Sequence, residues 1–175
     1  MNIGGWCGII GENNKSKGVH VMAKTYDEIR IGVNTFAGTT KILDTIGKIG
    51  LEQAPEAGLK VLGQTMIPAI SLKAFSCELA LKALIAKSGK EVTRDHELDK
   101  LYGMLDTVDK NAISQAVIQT IKKQNKAYDE AKFFVDLSQA AKTFVEWRYF
   151  YEEGVTADLG FINALFEELL KYIGL

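Results

Sequence analysis

The sequence predicts an all-α fold, a helical bundle of four to six largely antiparallel helices with a glycine-rich N-terminal arm. Three observations predict it. First, the stretch from Pro68 to Gly89 is apolar on two flanks. At about 100° per residue, Leu72, Phe75, Leu79, Ala83 and Ala86 line one flank, and Ile70, Cys77, Leu81 and Leu84 line another. Ser71, Glu78 and Lys82 leave only a thin polar stripe, so this helix needs neighbours on both sides. Second, apolar residues elsewhere recur at steps of three and four, whereas no segment makes a firm strand. Third, nothing repeats at a fixed period, which argues against a solenoid.

In chain order, residues 1–56 form the arm. Gly4, Gly5, Gly8 and Gly11 invite a phosphate-loop reading, but Lys15-Ser16 lacks the glycine directly before lysine and no strand precedes it. A loosely docked tail carrying Trp6 as an anchor fits better. Between Val19 and Ala37 a helical stripe of Met22, Tyr26, Ile29, Val33 and Phe36 competes with the strand-like alternation of Ile29, Ile31 and Val33, and helix is favoured. Gly32, Gly38, Gly47 and Gly50 each cost a helix about 1 kcal/mol relative to alanine, so a broken or marginal element is expected up to Gly50. Thr39-Thr40 would cap a short piece with Ile42, Ile46 and Ile49 on one face.

Residues 57–175 form the bundle. A helix from Glu56 to Met66 should kink or restart at Ile67-Pro68, because proline disfavours helical backbone in the residue before it. The central helix should close at Gly89. Thr93 or Asp95 can cap the next helix, with Leu98, Leu101, Tyr102 and Leu105 inward, and Asp106 or Asp109 the one after, through Ile113, Val117 and Ile121. Its end, Lys122 to Lys126, is a basic patch suited to a helix C-terminus. The longest uninterrupted helix is expected from Asp129 to Glu153, with Phe134, Leu137, Ala141, Phe144, Arg148 and Tyr151 in one seam. Gly154 ends it, and Thr156 or Asp158 starts a last helix with Leu159, Ile162, Leu165, Phe166, Leu169 and Ile173 inward.

Composition narrows the function classes. With 47% hydrophobic residues and a formal net charge of -1 over 175 residues, the chain is neither disordered nor broadly basic, so a nucleic-acid contact would have to be local. Cys7 and Cys77 give no metal spacing. No metal or cofactor is expected, and a reducing, cytoplasmic setting is. The first residues lack the basic start and apolar run of a secretory signal, and no run of about 18 apolar residues suggests a membrane span.

Glu78-Leu79-Ala80-Leu81-Lys82-Ala83-Leu84, then Gly89, then His96-Glu97-Leu98 with Leu101, resemble the HEPN superfamily (higher eukaryotes and prokaryotes nucleotide-binding). Trp147-Arg148-Tyr149 with Tyr151-Glu152 is similar to the closing helices of many small bacterial members. The likeness covers roughly residues 57–175. It implies a helical bundle that often dimerises and serves as a ribonuclease, as the partner of a nucleotidyltransferase, or as an inactive binding module. In ribonuclease members an arginine is followed after four to six residues by a histidine. Here the histidines are His20 and His96 and the arginines Arg30, Arg94 and Arg148, so that pair is absent. Arg94 and His96, two residues apart, would point about 200° from each other on a helix.

The candidate polar cluster is therefore Glu78, Lys82, His96, Arg148 and Glu152. Arg148 occupies an apolar slot and needs a carboxylate, Glu78 or, failing that, Glu152. Glu78 and Lys82 also form a glutamate-first i,i+4 pair. His96 is expected neutral at a helix start. Trp147, Tyr149 and Tyr151 are candidates for stacking on a base or for a dimer seam. The sequence thus points to a non-catalytic interaction or nucleotide/nucleic-acid-binding module acting as a dimer or accessory subunit. The alternatives are a ribonuclease or nucleotide-processing enzyme with a departed motif, and a self-associating bundle without ligand.

Overall fold

In the computed structural model, residues 25–53, 55–141, 143 and 158–175 are described. They form α1 (Tyr26–Gln53), α2 (Pro55–Lys87), α3 (Leu98–Met104), α4 (Thr107–Lys122), α5 (Glu130–Gln139) and α6 (Leu159–Tyr172), with no strand among them. The expected all-α bundle is present. α2 is its axis, packing along α1 and against α3 and α6, while α4 lies on α5 and α6 and α3 on α5. Burial explains this position: Ala74, Cys77, Ala80, Leu81, Ala83, Leu84 and Ile85 are all essentially inaccessible, so α2 is enclosed on both flanks over its second half. The core continues through Val33, Leu101, Ile113, Val117, Phe133, Phe161, Leu165 and Leu169.

The arm is helical further than its composition suggests. Tyr26–Gln53 is one helix through all four glycines, not a broken one. Thr39 and Thr40 do not cap; their hydroxyls donate to the carbonyls of Thr35 and Phe36 inside the helix. The cost of glycine is offset by tertiary contact, because α1 and α2 run antiparallel at very short range. A Cβ at Gly58 would lie 2.6 Å from Leu51 Cα and would collide with the Gly50 carbonyl, and one at Gly47 would lie 2.7 Å from Thr65 Oγ1. Further along, Phe36 meets Phe75 edge-to-face at 4.8 Å, and Lys73 joins Asp44 of α1 at 2.8 Å and Asn163 of α6 at 2.8 Å. Arg30 ties the first turns of α1 to the far end of α6, donating from Nε to Ile173 O (3.0 Å) and from Nη2 to Gly174 O (2.6 Å).

α2 passes through Pro68 without the expected restart. Pro68 and Gln64, whose carbonyl the missing N–H would have bonded, are both exposed, so water can serve that carbonyl. Gly89 closes α2 as expected, with φ at 76°, Gly89 N–H donating to Ala86 O and Lys90 N–H to Ile85 O. The α4 stripe is inward as expected, and Asp158 caps α6 by accepting from Gly160 N–H and Phe161 N–H.

The helix expected from Asp129 to Glu153 is instead stopped at Gln139. Ala141 N–H turns back to Ser138 O, the Thr143 hydroxyl donates to Ala140 O at 2.8 Å, and Ala141 O accepts the Leu98 N–H at 3.0 Å. A bond from the first residue of α3 thus reaches the carbonyl just past the end of α5. Leu137 and Ala141 are inward as expected, but Phe133 is buried in place of Phe134, which is 47% exposed. Among the described residues, no helix is long and apolar enough to cross a membrane.

Candidate functional site

The site begins with two polar side chains on the enclosed half of α2. Glu78 is 1% exposed and Lys82 8%, one turn apart. Lys82 Nζ donates to Glu78 Oε1 at 2.8 Å, the strong charge-assisted bond that burial of either group demands.

A third group arrives from the connection between α2 and α3. Gly89 turns the chain, and the Asp95 carboxylate then accepts from His96 N–H (3.0 Å) and Glu97 N–H (3.2 Å), fixing the backbone just ahead of α3. The hydrogen bond from Glu97 N–H is the main cause of an Asp95 carboxyl held below its usual range. This sets the His96 ring over α2, with Nδ1 2.9 Å from the same Glu78 oxygen. A carboxylate can only accept, so the hydrogen sits on Nδ1. The ring side chain is 58% exposed and its Nε2 has no protein partner among the described residues.

Glu78 Oε1 therefore takes both donors, while Oε2 is sealed from solvent and has no hydrogen-bond partner among the described residues. A buried acceptor of this kind costs about 1–3 kcal/mol if it stays unmet.

Lys82 and His96 border a cleft of about 630 Å³ between α1, α2 and the α2–α3 connection. Ile29 and Phe36 of α1 with Phe75 and Leu79 of α2 make an apolar wall, and Arg94, His96 and Lys82 make a basic rim, with Glu28 at the α1 end. Such a cleft, apolar with a few convergent polar groups, suits a small ligand carrying an aromatic body and an anionic tail. On the described residues there is no cluster of three or more histidine, cysteine or acidic side chains able to hold a metal.

Of the residues singled out in the sequence, the structure brings together Glu78, Lys82 and His96. Arg148, Glu152, Trp147, Tyr149 and Tyr151 lie outside the described residues, as does Trp6 of the arm. Sequence reasoning missed the Phe36 and Phe75 wall, since both phenylalanines sit at ordinary core spacing, and missed Arg94 as a rim residue. It also missed Asp136, which is 1% exposed and accepts from Tyr128 Oη at 2.9 Å and from Lys132 Nζ. Burial first, and then that bond, push the Tyr128 hydroxyl well above its usual range. The available signal was Lys132 four residues before an aspartate that shares the face of Phe133 and Leu137. Cys77 is buried and its thiol is pushed well up by desolvation, which makes it an inert core residue.

No curated protein and no solved structure matches the chain. The family model described as the HEPN domain matches residues 74–153, the segment that carries Glu78, Lys82 and His96. That segment, and with it the site, is similar to the HEPN domain.

Proposed function

We propose that the protein is a non-catalytic HEPN module that binds a nucleotide or a nucleic-acid end in the cleft between α1 and α2, acting as a homodimer or as the accessory subunit of a nucleotidyltransferase in the cytoplasm. The observation that carries this reading is the triad of Glu78, Lys82 and His96 beside an aromatic wall. Glu78 holds Lys82 and His96 in place from below, and Arg94 adds a third donor at the rim. Phosphate oxygens suit these donors, and the rings of Phe36 and Phe75, with Leu79 beside them, suit a base. In this reading residues 57–175 are the HEPN-like unit and residues 1–56 the appended arm.

The test is equilibrium binding of adenine and guanine nucleotides and of short single-stranded RNA to the purified chain, followed by calorimetry. Arg94→Ala and His96→Ala are each expected to weaken binding about 5- to 30-fold, the loss of one charge-assisted hydrogen bond. Affinity unchanged in both variants, or no binding at millimolar ligand, rejects the cleft as the site.

A second reading, an RNA-processing enzyme with a departed motif, is favoured by one feature. A carboxylate on Nδ1 leaves the opposite ring nitrogen available for proton transfer, the orientation general acid-base catalysis needs. RNA cleavage by the pure protein that is lost in His96→Ala would select that reading.

A further inference from the structure

The cleft between α1 and α2 carries one group of opposite sign to its rim. Glu28 lines it from α1 and is the only acid among the described lining residues. Register places this carboxylate. Phe36 packs on Phe75, and an added Cβ on Gly32 would lie 3.5 Å from Leu79 Cδ1, so each turn back along α1 matches a turn forward along α2. One turn further, Glu28 comes level with Ala83, across from Lys82. The path from the Phe36 position to Glu28 is two turns of α1, about 12 Å. It begins at an aromatic end, passes Gly32, which projects no side chain, and reaches a polar end where Glu28 faces Lys82, Arg94 and His96. The carboxylate is also held in place. Its Oε2 accepts from Thr25 N–H at 2.8 Å and from the Thr25 hydroxyl at 3.1 Å, and Glu28 N–H donates to Thr25 Oγ1 at 3.3 Å.

We infer that Glu28 reads the sugar of the bound nucleotide, so that the cleft selects a ribonucleotide whose 2′- and 3′-hydroxyls are both free. This deepens the proposed function and rests on its nucleotide cleft. An ionised carboxylate only accepts hydrogen bonds and has about four lone-pair positions, so the Thr25 cap does not exhaust it. It repels phosphate and suits a neutral pair of donors. With the base on Phe36 and Phe75 and the phosphate on Arg94 and His96, the sugar between them lies alongside Gly32 and Glu28. Its vicinal hydroxyls are then the donors nearest the carboxylate. A 2′-deoxyribose brings one donor fewer, and a 3′-phosphate sets negative charge against Glu28. The occupant is therefore a ribonucleoside 5′-monophosphate or the unphosphorylated 3′ end of an RNA, which present the same diol, and not DNA.

The test is calorimetry of the whole chain with adenosine 5′-monophosphate, its 2′-deoxy analogue and adenosine 3′,5′-bisphosphate. The wild-type protein is expected to bind the deoxy analogue about 5- to 30-fold more weakly than the ribonucleotide, the loss of one charge-assisted hydrogen bond. Glu28→Gln keeps a carbonyl for the Thr25 N–H cap and removes the charge, so helical content should not change. In that variant the ratio between ribo and deoxy ligands should shrink to about twofold or less, and the bisphosphate should bind more tightly than it does to the wild type. A purely structural glutamate would leave the ratio where it was. Arg94→Ala should weaken both monophosphates and preserve their ratio. Two RNA arms identify the source of the diol. A short RNA with a free 3′ end that binds as tightly as the monophosphate, and loses affinity when 3′-phosphorylated, supports an RNA end; one that binds far more weakly supports the free nucleotide. No binding of the monophosphate at millimolar concentration overturns the nucleotide cleft and this inference together. Equal affinity for the ribo and deoxy ligands overturns the inference and leaves a nucleotide cleft indifferent to the sugar. A deoxy penalty that persists in Glu28→Gln overturns the role of Glu28.

Discussion

Glu78 holds two donors on one oxygen, and its other oxygen is sealed with no partner among the described residues. Arg148, the arginine the sequence assigns to Glu78 or Glu152, is proposed as the donor to that oxygen. The expected outcome is that Arg148→Ala costs about 3 kcal/mol in urea unfolding, and that the double variant with Glu78→Gln costs much less than the sum of the two single changes. Strict additivity would show that Arg148 bonds elsewhere, with Glu152 the next carboxylate to try. The Glu78 and Lys82 pairing was legible in the sequence as an i,i+4 spacing, whereas the arrival of His96 on the same oxygen was not. Nothing in residues 90–97 announces that Asp95 will fold the chain back on α2, because that depends on which backbone amides its carboxylate finds.

At the scale of elements, the sequence misjudged α1 for a physical reason. Local propensity counts each glycine as a loss, yet Gly47, Gly50 and Gly58 are the positions where α1 and α2 come closest, and the contact they permit outweighs the propensity term. Gly58→Ala is therefore expected to destabilise the protein by about 2 kcal/mol or more, since backbone atoms of Gly50 and Leu51 must move. Gly63→Ala is the control: nothing lies within 4 Å of its added Cβ, and it should stabilise by about 0.5–1 kcal/mol. Thermal melting of the two variants in opposite directions would establish the glycine seam; both falling together would not. The same limit explains α5. The periodicity placed Leu137 and Ala141 inward correctly but not Phe134, and the helix ends at Gln139, just before Leu98 N–H reaches the Ala141 carbonyl, a long-range bond that no local pattern encodes.

For the whole molecule, the central place of α2 was legible because a helix with two apolar flanks has one kind of solution, neighbours on each side. The closure of the bundle was not. Arg30 clamps α1 to the carbonyls of Ile173 and Gly174, and Tyr26 Oη adds a long bond to Ile173 O at 3.4 Å. Sequence cannot show that an arginine in the first turns will find a helix end some 140 residues later. Arg30→Ala is expected to cost about 1.5–3 kcal/mol in chemical denaturation, the range for bonds to a charged donor, and Arg30→Lys should recover only part of it because a single ammonium replaces the two-pronged grip. Equal stability of all three proteins would remove the clamp from the account of the fold.

The bond from Leu98 N–H to Ala141 O spans the HEPN segment, joining the chain just after His96 to the chain that leads on toward Arg148. Leu98 is almost fully buried, so this amide proton trades with deuterium only when the junction parts. Its exchange rate is a built-in clock for that parting, readable by NMR at one backbone position, and a ligand that presses the two halves of the segment together would slow it.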